Sequence, residues 1–380
     1  MTNPFFVTGI IPDQYFCDRE KETEKIIAHL QNQSNILLTS SRRIGKTQLI
    51  RHIFDQPAIK NHYYTFYVDI YPTGSLQEFV FFLSKEIYSQ VVPAGKKALS
   101  IFLSTIRSIA AGFSLDPLTG LPKVDLQLGD ISMPELSLEE VFSYLERADK
   151  PCIFAIDEFQ QISRYPENNV EALLRSHIQT MNNCHFIFSG SNRHILEQMF
   201  SSYNRPFYNS AQPVYLGKID REKYIDFVLF HFSKEGIGIS RDVAGLCYDM
   251  FDGYTYYIHK VFHDIFAFSH EGQEISSKII NDTVSDILEE YSHGFNETMA
   301  SLSLVQKQVL ISIAKAKVVA HPTSGAFVKK NALPSPSSTQ KALKTLMDMQ
   351  LVTYSVQEPG HGKQYYISDK YFEKWLRITY

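Results

Sequence analysis

Through the first part of the chain, short apolar runs that end in polar residues alternate with stretches whose apolar positions recur at helical spacing. The runs are NILLT from Asn35, YYTFYVDI from Tyr63 to Ile70, PCIFAIDEF from Pro151, NCHFIFSGS from Asn183 and AQPVYLGKI from Ala211. Short, apolar and rich in β-branched or aromatic residues, they predict buried strands. Helices are predicted over Glu20 to Asn32, where Ile26, Ile27 and Leu30 share a face, from near Lys46, over Ser75 to Gln90, over Asn169 to Met181 and from near Asp220. Strands that alternate with helices predict an α/β fold, a parallel sheet covered by helices on both faces.

Three stretches depart from this alternation. Between Val91 and Lys150 the pattern is irregular: a helix is predicted near Ala98 to Ala111, then an inserted hairpin in FSLDPLTGLPKVDLQLGD, with turn letters Asp116, Pro117, Gly120 and Pro122. From Asp220 to about Ser292 the signal is almost wholly helical. The last 80 or so residues read helix, helix, helix, two strands, helix. In LPSPSSTQKALKTLMDMQLVTYSV a Ser/Thr-rich cap precedes a helix with Ala342, Leu343 and Leu346 inward, and a strand then leads to the glycine-bearing turn of EPGHGKQYYI, a winged-helix pattern. The predicted domains are a core over residues 1–218 with its insertion at about 91–150, a small helical lid over 219–295 and a winged helix over 296–380.

At 380 residues the chain exceeds the size at which one hydrophobic core stops growing, so more than one domain is expected. With 44% hydrophobic and 21% charged residues, its composition excludes disordered and fibrous classes. The opening MTNPFFVTGIIPDQYF lacks a basic leader followed by a long apolar run, and no segment reaches the length of a membrane span. The expectation is a cytoplasmic protein with no membrane partner. Cys17, Cys152, Cys184 and Cys247 form no C-x-x-C, which fits reduced, mostly buried thiols better than a zinc site or a disulfide framework. The net charge of −4 conceals a division, because residues 301–380 hold 11 Lys and Arg against 4 Asp and Glu. A basic tail of this kind is either a solvated face or a nucleic-acid surface.

The chemistry concentrates in LLTSSRRIGKTQLI, Leu37 to Ile50. Gly45, Lys46 and Thr47 complete the phosphate-loop pattern G-x-x-x-x-G-K-[ST], with Ser40 in the place of the first glycine. In such a loop successive backbone N–H groups curl around phosphates at the start of a helix, where the dipole also favours negative charge. Lys46 would reach the β- and γ-phosphates, and Thr47 would hold magnesium through its hydroxyl. A strand before the motif and a helix after it separate it from an ordinary helix start. The candidate ATP-binding residues are therefore Ser40, Ser41, Arg42, Arg43, Ile44, Gly45, Lys46, Thr47 and Gln48. Ser40 is harmless where the backbone is extended and strained where φ is positive, and the extended case is expected. Farther along, CIFAIDEFQQI ends an apolar strand in two carboxylates, which need water, a cation or hydrogen-bond donors. Asp157 is suited to the magnesium shell and Glu158 to polarising the water that attacks the γ-phosphate.

Several further motifs fall in order along nearly the whole chain. YFCDREKE is similar to an N-terminal box "F.gRe.E", SSRRIGKTQL to "GpRR.GKTsL", FAIDEFQQI to a Walker B strand and FIFSGSNRHIL to a sensor strand. NRPFYNSAQPVYLGKI is similar to "..pFYgR...i.L", and SDKYFEKWL to the ending that follows a winged helix. With these motifs the chain resembles the AAA+-related archaeal-type ATPases grouped with the STAND signal-transduction NTPases. The resemblance implies a P-loop NTPase sheet followed by a helical lid and a winged helix, with ATP and Mg2+ as cofactors. It implies that the stretch from Phe16 to Arg19 lies near the adenine, and that Ser191 or Asn192 meets the γ-phosphate or the attacking water. Both could instead cap the helix that starts there. Arg205 falls where an arginine acting in trans or between domains is sought, and it also reads as a plain surface-loop arginine. The chain departs from the family pattern at Ser40, at Asn209 and Ser210, and at Tyr254 and Thr255.

The expected function is an ATP-binding, magnesium-dependent ATPase, a nucleotide-controlled switch with a winged-helix output module and Glu158, Lys46 and Asn192 as catalytic candidates. Its partners would be ATP and ADP. One alternative is an ATP-regulated protein that binds duplex DNA through residues 300–380, with Lys329, Lys330, Lys341, Lys344 and Lys363 meeting phosphates. Another is a nucleotide-binding scaffold without turnover. Tyr365, Tyr366, Tyr371, Phe372 and Trp375 would equally suit packing against a protein partner.

Overall fold

The computed structural model of the chain describes residues 2–94, 96–109, 113–115, 122–124, 127–355 and 362–380, with 92–94, 96–98, 113–115 and 122–124 as backbone only. It divides into two compact units, Gly9–Ile219 and Met1–Thr8 with Asp220–Tyr380.

The unit Gly9–Ile219 runs α1 (Glu20–Gln31), β1 (Ile36–Ser40), α2 (Lys46–Asp55), α3 (Pro57–Lys60), β2 (Tyr64–Asp69), α4 (Leu76–Ala94) and α5 (Lys96–Thr105). A hairpin follows, β3 (Phe113–Leu115) and β4 (Pro122–Val124), then α6 (Pro134–Arg147), β5 (Cys152–Asp157), α7 (Val170–Ile178), β6 (Cys184–Gly190), α8 (Arg193–Ser201) and β7 (Gln212–Leu216). The five predicted strands form one parallel sheet in the order β2-β5-β6-β1-β7. Every residue of β1, β5 and β6 is buried, as a parallel sheet covered on both faces requires. Across one face, Phe66, Phe154 and Phe186 follow one another at 5.3 and 6.3 Å between ring centroids. Each such ring contributes about 1.5–3 kcal/mol by leaving water. The registers Asp69↔Asp157 and Thr39↔Gly190 bring the carboxyl ends of β2, β5, β1 and β6 to one edge of the sheet, where ligands of such folds bind.

The irregular stretch is more ordered than its pattern suggested. The expected hairpin is present, with Phe113 opposite Val124 and Leu115 opposite Pro122, while its turn letters Asp116, Pro117 and Gly120 lie outside the described residues. Helix α5 ends at Thr105, short of the predicted Ala111. Helix α6 was not anticipated, although Leu138, Val141, Phe142 and Leu145 are buried at helical spacing. The insertion is part of the core: Phe102 of α5 meets Tyr144 of α6 edge to face at 5.2 Å, both fully buried.

The second unit continues with α9 (Arg221–Lys234), β8 (Gly238–Ile239), α10 (Arg241–Met250), α11 (Thr255–Phe268), β9 (Glu274–Ile275) and α12 (Ser277–Ser301). It ends with α13 (Leu304–Ala316), α14 (Gly325–Lys330), α15 (Pro336–Asp348), β10 (Val352–Ser355), β11 (Gln364–Ile367) and α16 (Lys370–Thr379). Side-chain caps set most starts: Asp220, Ser240, Ser276, Ser303, Ser324, Ser335 and Asp369 each accept a backbone N–H in the first turn of the helix that follows. Phe5 is fully buried among Phe227, Phe232, Phe262 and Phe266, while Asn3 donates to the His263 carbonyl. The winged-helix order is as predicted, and Val319 adds a bridge to Tyr365 beside the β10–β11 ribbon. The wing turn, residues 356–361, lies outside the described residues. Of the aromatics set aside for a partner, Tyr371, Phe372 and Trp375 are buried, and Tyr371 donates from its hydroxyl to the Tyr257 carbonyl at 2.9 Å.

Candidate functional site

Strand β1 ends at Ser40, and the chain turns through Ser41 to Ile44 before Gly45 caps α2. Two residues of the turn take left-handed backbone, Arg43 at φ 63° and Gly45 at φ 99°. Ser40 does not; it is buried in β1, paired with Leu216, and its hydroxyl donates to the Ser41 carbonyl at 2.8 Å. The position that needs a glycine is therefore Gly45, where a Cβ would meet nothing within 4 Å and only the backbone angle would object.

Asp157, at the end of β5, gathers the site. Its Oδ1 lies 3.0 Å from Lys46 Nζ and accepts from the Ser189 hydroxyl at 2.7 Å and the Glu158 N–H at 3.0 Å. Its Oδ2 accepts from the Thr47 hydroxyl at 3.1 Å and the Tyr67 hydroxyl at 2.8 Å. Burial works against its charge, but Lys46 and the hydrogen bonds of Ser189 and Tyr67 hold the carboxyl below its ordinary range. Beside it at the end of β2, Asp69 is pushed up by burial and by the Asp157 and Glu158 charges, against a bond from the Tyr71 N–H.

Glu158 has left-handed backbone at φ 57°, and its carboxylate accepts from the Ser191 N–H at 3.2 Å, the Ser191 hydroxyl at 3.0 Å and the Gln160 amide. Gly190 permits this, because a Cβ there would fall 2.1 Å from Gln160 Oε1 and 2.8 Å from Leu196 Cδ1. Arg42 donates from Nε to the Ser191 hydroxyl at 3.2 Å, joining the loop to the second carboxylate. The Asn192 side chain accepts from the Ile195 N–H at 3.3 Å, the capping arrangement for α8.

The remaining candidates each have protein partners. Gln48 donates to the Gly9 carbonyl at 2.7 Å and accepts from the Ile11 N–H at 3.2 Å, so it ties the preceding segment to α2. Phe16 stacks on His52 of α2 at 3.9 Å with an interplanar angle of 6°. The buried Arg19 guanidinium meets Glu22 Oε1 at 3.0 Å and the Gly217 carbonyl at 2.7 Å, so it pins the segment after β7. Arg205, half-buried in the segment between α8 and β7, pairs with Glu171. Sequence reasoning missed Tyr67, Ser189 and Gln160. The alternation of β2, with Phe66 buried and Tyr67 on the opposite face beside Asp69, was the available signal for the first.

In the second unit, Thr339, Ala342, Leu343 and Leu346 of α15 face inward, while Gln340, Lys341 and Lys344 are exposed. Lys329, Lys330 and Lys363 are exposed as well, the last with Nζ 4.3 Å from the Tyr354 ring centroid. Lys370 is buried instead, 2.7 Å from Glu373 and 3.1 Å from Asp252. Among the described residues, no helix is long and apolar enough to cross a membrane.

A family model described as "ATPase domain predominantly from Archaea" matches residues 16–261, and one described as "Probable winged helix domain" matches residues 293–378. No curated protein matches the chain. Among solved structures, a Walker-type ATPase of Pyrococcus abyssi is similar with a TM-score of 0.67 at 20% identity, over 99% of this chain and 100% of that one. The ORC2 protein of Aeropyrum pernix, in ADPNP–ADP complexes, gives 0.56 at 14% identity over 99% and 98% of the two chains. The ORC1 protein of the same organism, in complex with DNA, gives 0.51 at 15% over 96% and 93%. At these identities the likeness is one of fold.

Proposed function

The chain belongs to the family of ATPase domains found predominantly in Archaea, and from that premise we propose that it binds and hydrolyses ATP with magnesium, as a nucleotide-controlled switch of the AAA+/STAND kind. One observation carries the reading: Lys46 and Thr47, adjacent at the start of α2, meet opposite oxygens of a single buried carboxylate, Asp157. A lysine, a hydroxyl and a carboxylate at a helix start are the donor set that suits phosphates and a hard cation. Thr47 and Asp157 would hold magnesium, which when bound supplies charge neutralisation at the phosphate oxygens. Lys46 turns from Asp157 to the β- and γ-phosphates, the loop N–H groups bind around them, and Glu158 orients the attacking water as its general base.

The switch lies in what holds Glu158. Its carboxylate is engaged by Ser191 and Gln160, and Ser191 is in turn engaged by Arg42 of the loop. Phosphate drawing Arg42 inward would loosen that chain, so loop occupancy and Glu158 freedom change together. The winged helix is the output. The exposed lysines of α14 and α15 favour a second reading, in which that output is duplex DNA. ATP hydrolysis measured with and without duplex DNA separates the cases. DNA-independent turnover supports the protein switch, DNA-stimulated turnover the DNA-binding regulator, and binding without turnover the scaffold.

A further inference from the structure

We infer that Tyr67 is a positioning residue, which fixes the Asp157 carboxylate for a divalent cation; the inference rests on the ATP–magnesium reading above. Tyr67 lies in β2, an edge strand, and projects on the face opposite the buried Phe66 and Val68. Its register partner in β5 is Ala155, two residues before Asp157 and on the same face, so the strand neighbour presents only a methyl group there. From there its hydroxyl donates to Asp157 Oδ2 at 2.8 Å. The ring is itself held. Arg51 of α2 covers it with the guanidinium carbon 4.5 Å from the centroid, and the Tyr67 N–H donates to Glu86 Oε1 at 3.1 Å.

The donors on Asp157 divide into those with another task and those without. Lys46 and Thr47 turn to phosphate and cation in the proposed reaction. Ser189 and the Glu158 N–H stay on Oδ1, and Tyr67 stays on Oδ2. Removing its hydroxyl takes from that oxygen the donor that stays once Thr47 has turned, and the carboxylate gains freedom about its Cβ–Cγ bond. Partners of this outer kind tune metal affinity without touching the metal.

The test is Tyr67→Phe, which keeps the ring and its packing. Binding of a fluorescent ATP analogue to the full chain is titrated with magnesium and repeated in EDTA, and the nucleotide-free proteins are compared by thermal melting. The expected result is a magnesium requirement raised about tenfold, with affinity in EDTA and melting temperature close to those of the parent. A magnesium midpoint equal to the parent's overturns the inference. So does an equal loss of affinity in EDTA and in magnesium, which would give the hydroxyl a structural role only. The ratio of the two affinities is taken on one folded protein, so partial unfolding lowers both and leaves the ratio readable. If the parent itself binds no nucleotide under either condition, the ATP reading fails and takes the inference with it, a result distinct from any behaviour of the variant.

Discussion

The loop site and the exposed face of α15 are both built from lysines and hydroxyls, on opposite terms. Around Asp157 the charges are buried, and Lys46, Ser189, Thr47 and Tyr67 are held to one carboxylate at 2.7 to 3.1 Å. On α15, Lys341 and Lys344 stand exposed over a buried seam of Ala342, Leu343 and Leu346. In the first region the low dielectric makes each atom's position decisive, because a displaced group leaves a buried partner unsatisfied. In the second, water and salt screen each charge, and only the summed field matters. Single substitutions should therefore act strongly in the one and weakly in the other.

The largest effect is expected for Lys46→Ala. A charged hydrogen bond of this kind is worth about 1.5–3 kcal/mol, so ATP affinity by calorimetry should fall at least roughly 10- to 100-fold. The protein should still fold, because Asp157 keeps Ser189, Thr47, Tyr67 and the Glu158 N–H as donors. An affinity near the parent's would remove the phosphate-loop assignment. Next comes Glu158→Gln, which retains size and leaves the Asp157 side untouched. ATP binding should persist while turnover falls on the order of 100-fold or more, the usual contribution of a positioned general base. Parent-rate hydrolysis would mean that another group orients the water.

On the far side of the comparison, Lys341→Ala with Lys344→Ala should lower affinity for duplex DNA by roughly fivefold or less per lysine at moderate salt. The plot of log affinity against log salt should flatten by about 0.9 for each phosphate that a lysine no longer neutralises. If neither variant changes a measurable DNA affinity, the α15 face is not the DNA surface. If one lysine alone abolishes it, that residue is acting by position, and the contrast between the regions breaks.

Much of this is legible in the sequence alone. The five strands came from apolar runs, and Asp157 and Glu158 from their place at the end of one. The loop was readable from Gly45, Lys46 and Thr47. What escaped has a common cause. Tyr67, Ser189 and Gln160 act across strand neighbours and turns, contacts that depend on the order β2-β5-β6-β1-β7 and on register, which local spacing does not contain. Arg19 and Phe16, which the resemblance puts near the adenine, have partners that spacing could not name: Arg19 engages Glu22 and the Gly217 carbonyl, and Phe16 stacks on His52. Helix α6 is a different case, since Leu138, Val141, Phe142 and Leu145 carried its period openly. The surrounding turn letters masked it.

The smallest effect belongs to Ser40→Gly, and it bears on what the missing first glycine means for the loop. Ser40 is extended, in register with Leu216 at the end of β1, and buried. The left-handed positions are Arg43 and Gly45, so the angular demand falls after the serine. At Arg43, where φ is 63°, a glycine would lift a backbone penalty on the order of 1 kcal/mol, set against the interactions that the arginine makes. A glycine at 40 would relieve no strain. It would remove the bond from the Ser40 hydroxyl to the Ser41 carbonyl and give the strand end more freedom to lose, a destabilisation of about 0.5–1 kcal/mol. Nucleotide affinity should stay within roughly twofold of the parent or fall slightly, because Gly45, Lys46 and Thr47 keep their geometry. A Ser40→Gly protein that bound ATP roughly tenfold more tightly than the parent, a gain of about 1.4 kcal/mol, would show the serine to be the defect in the loop, and would raise the scaffold above the switch.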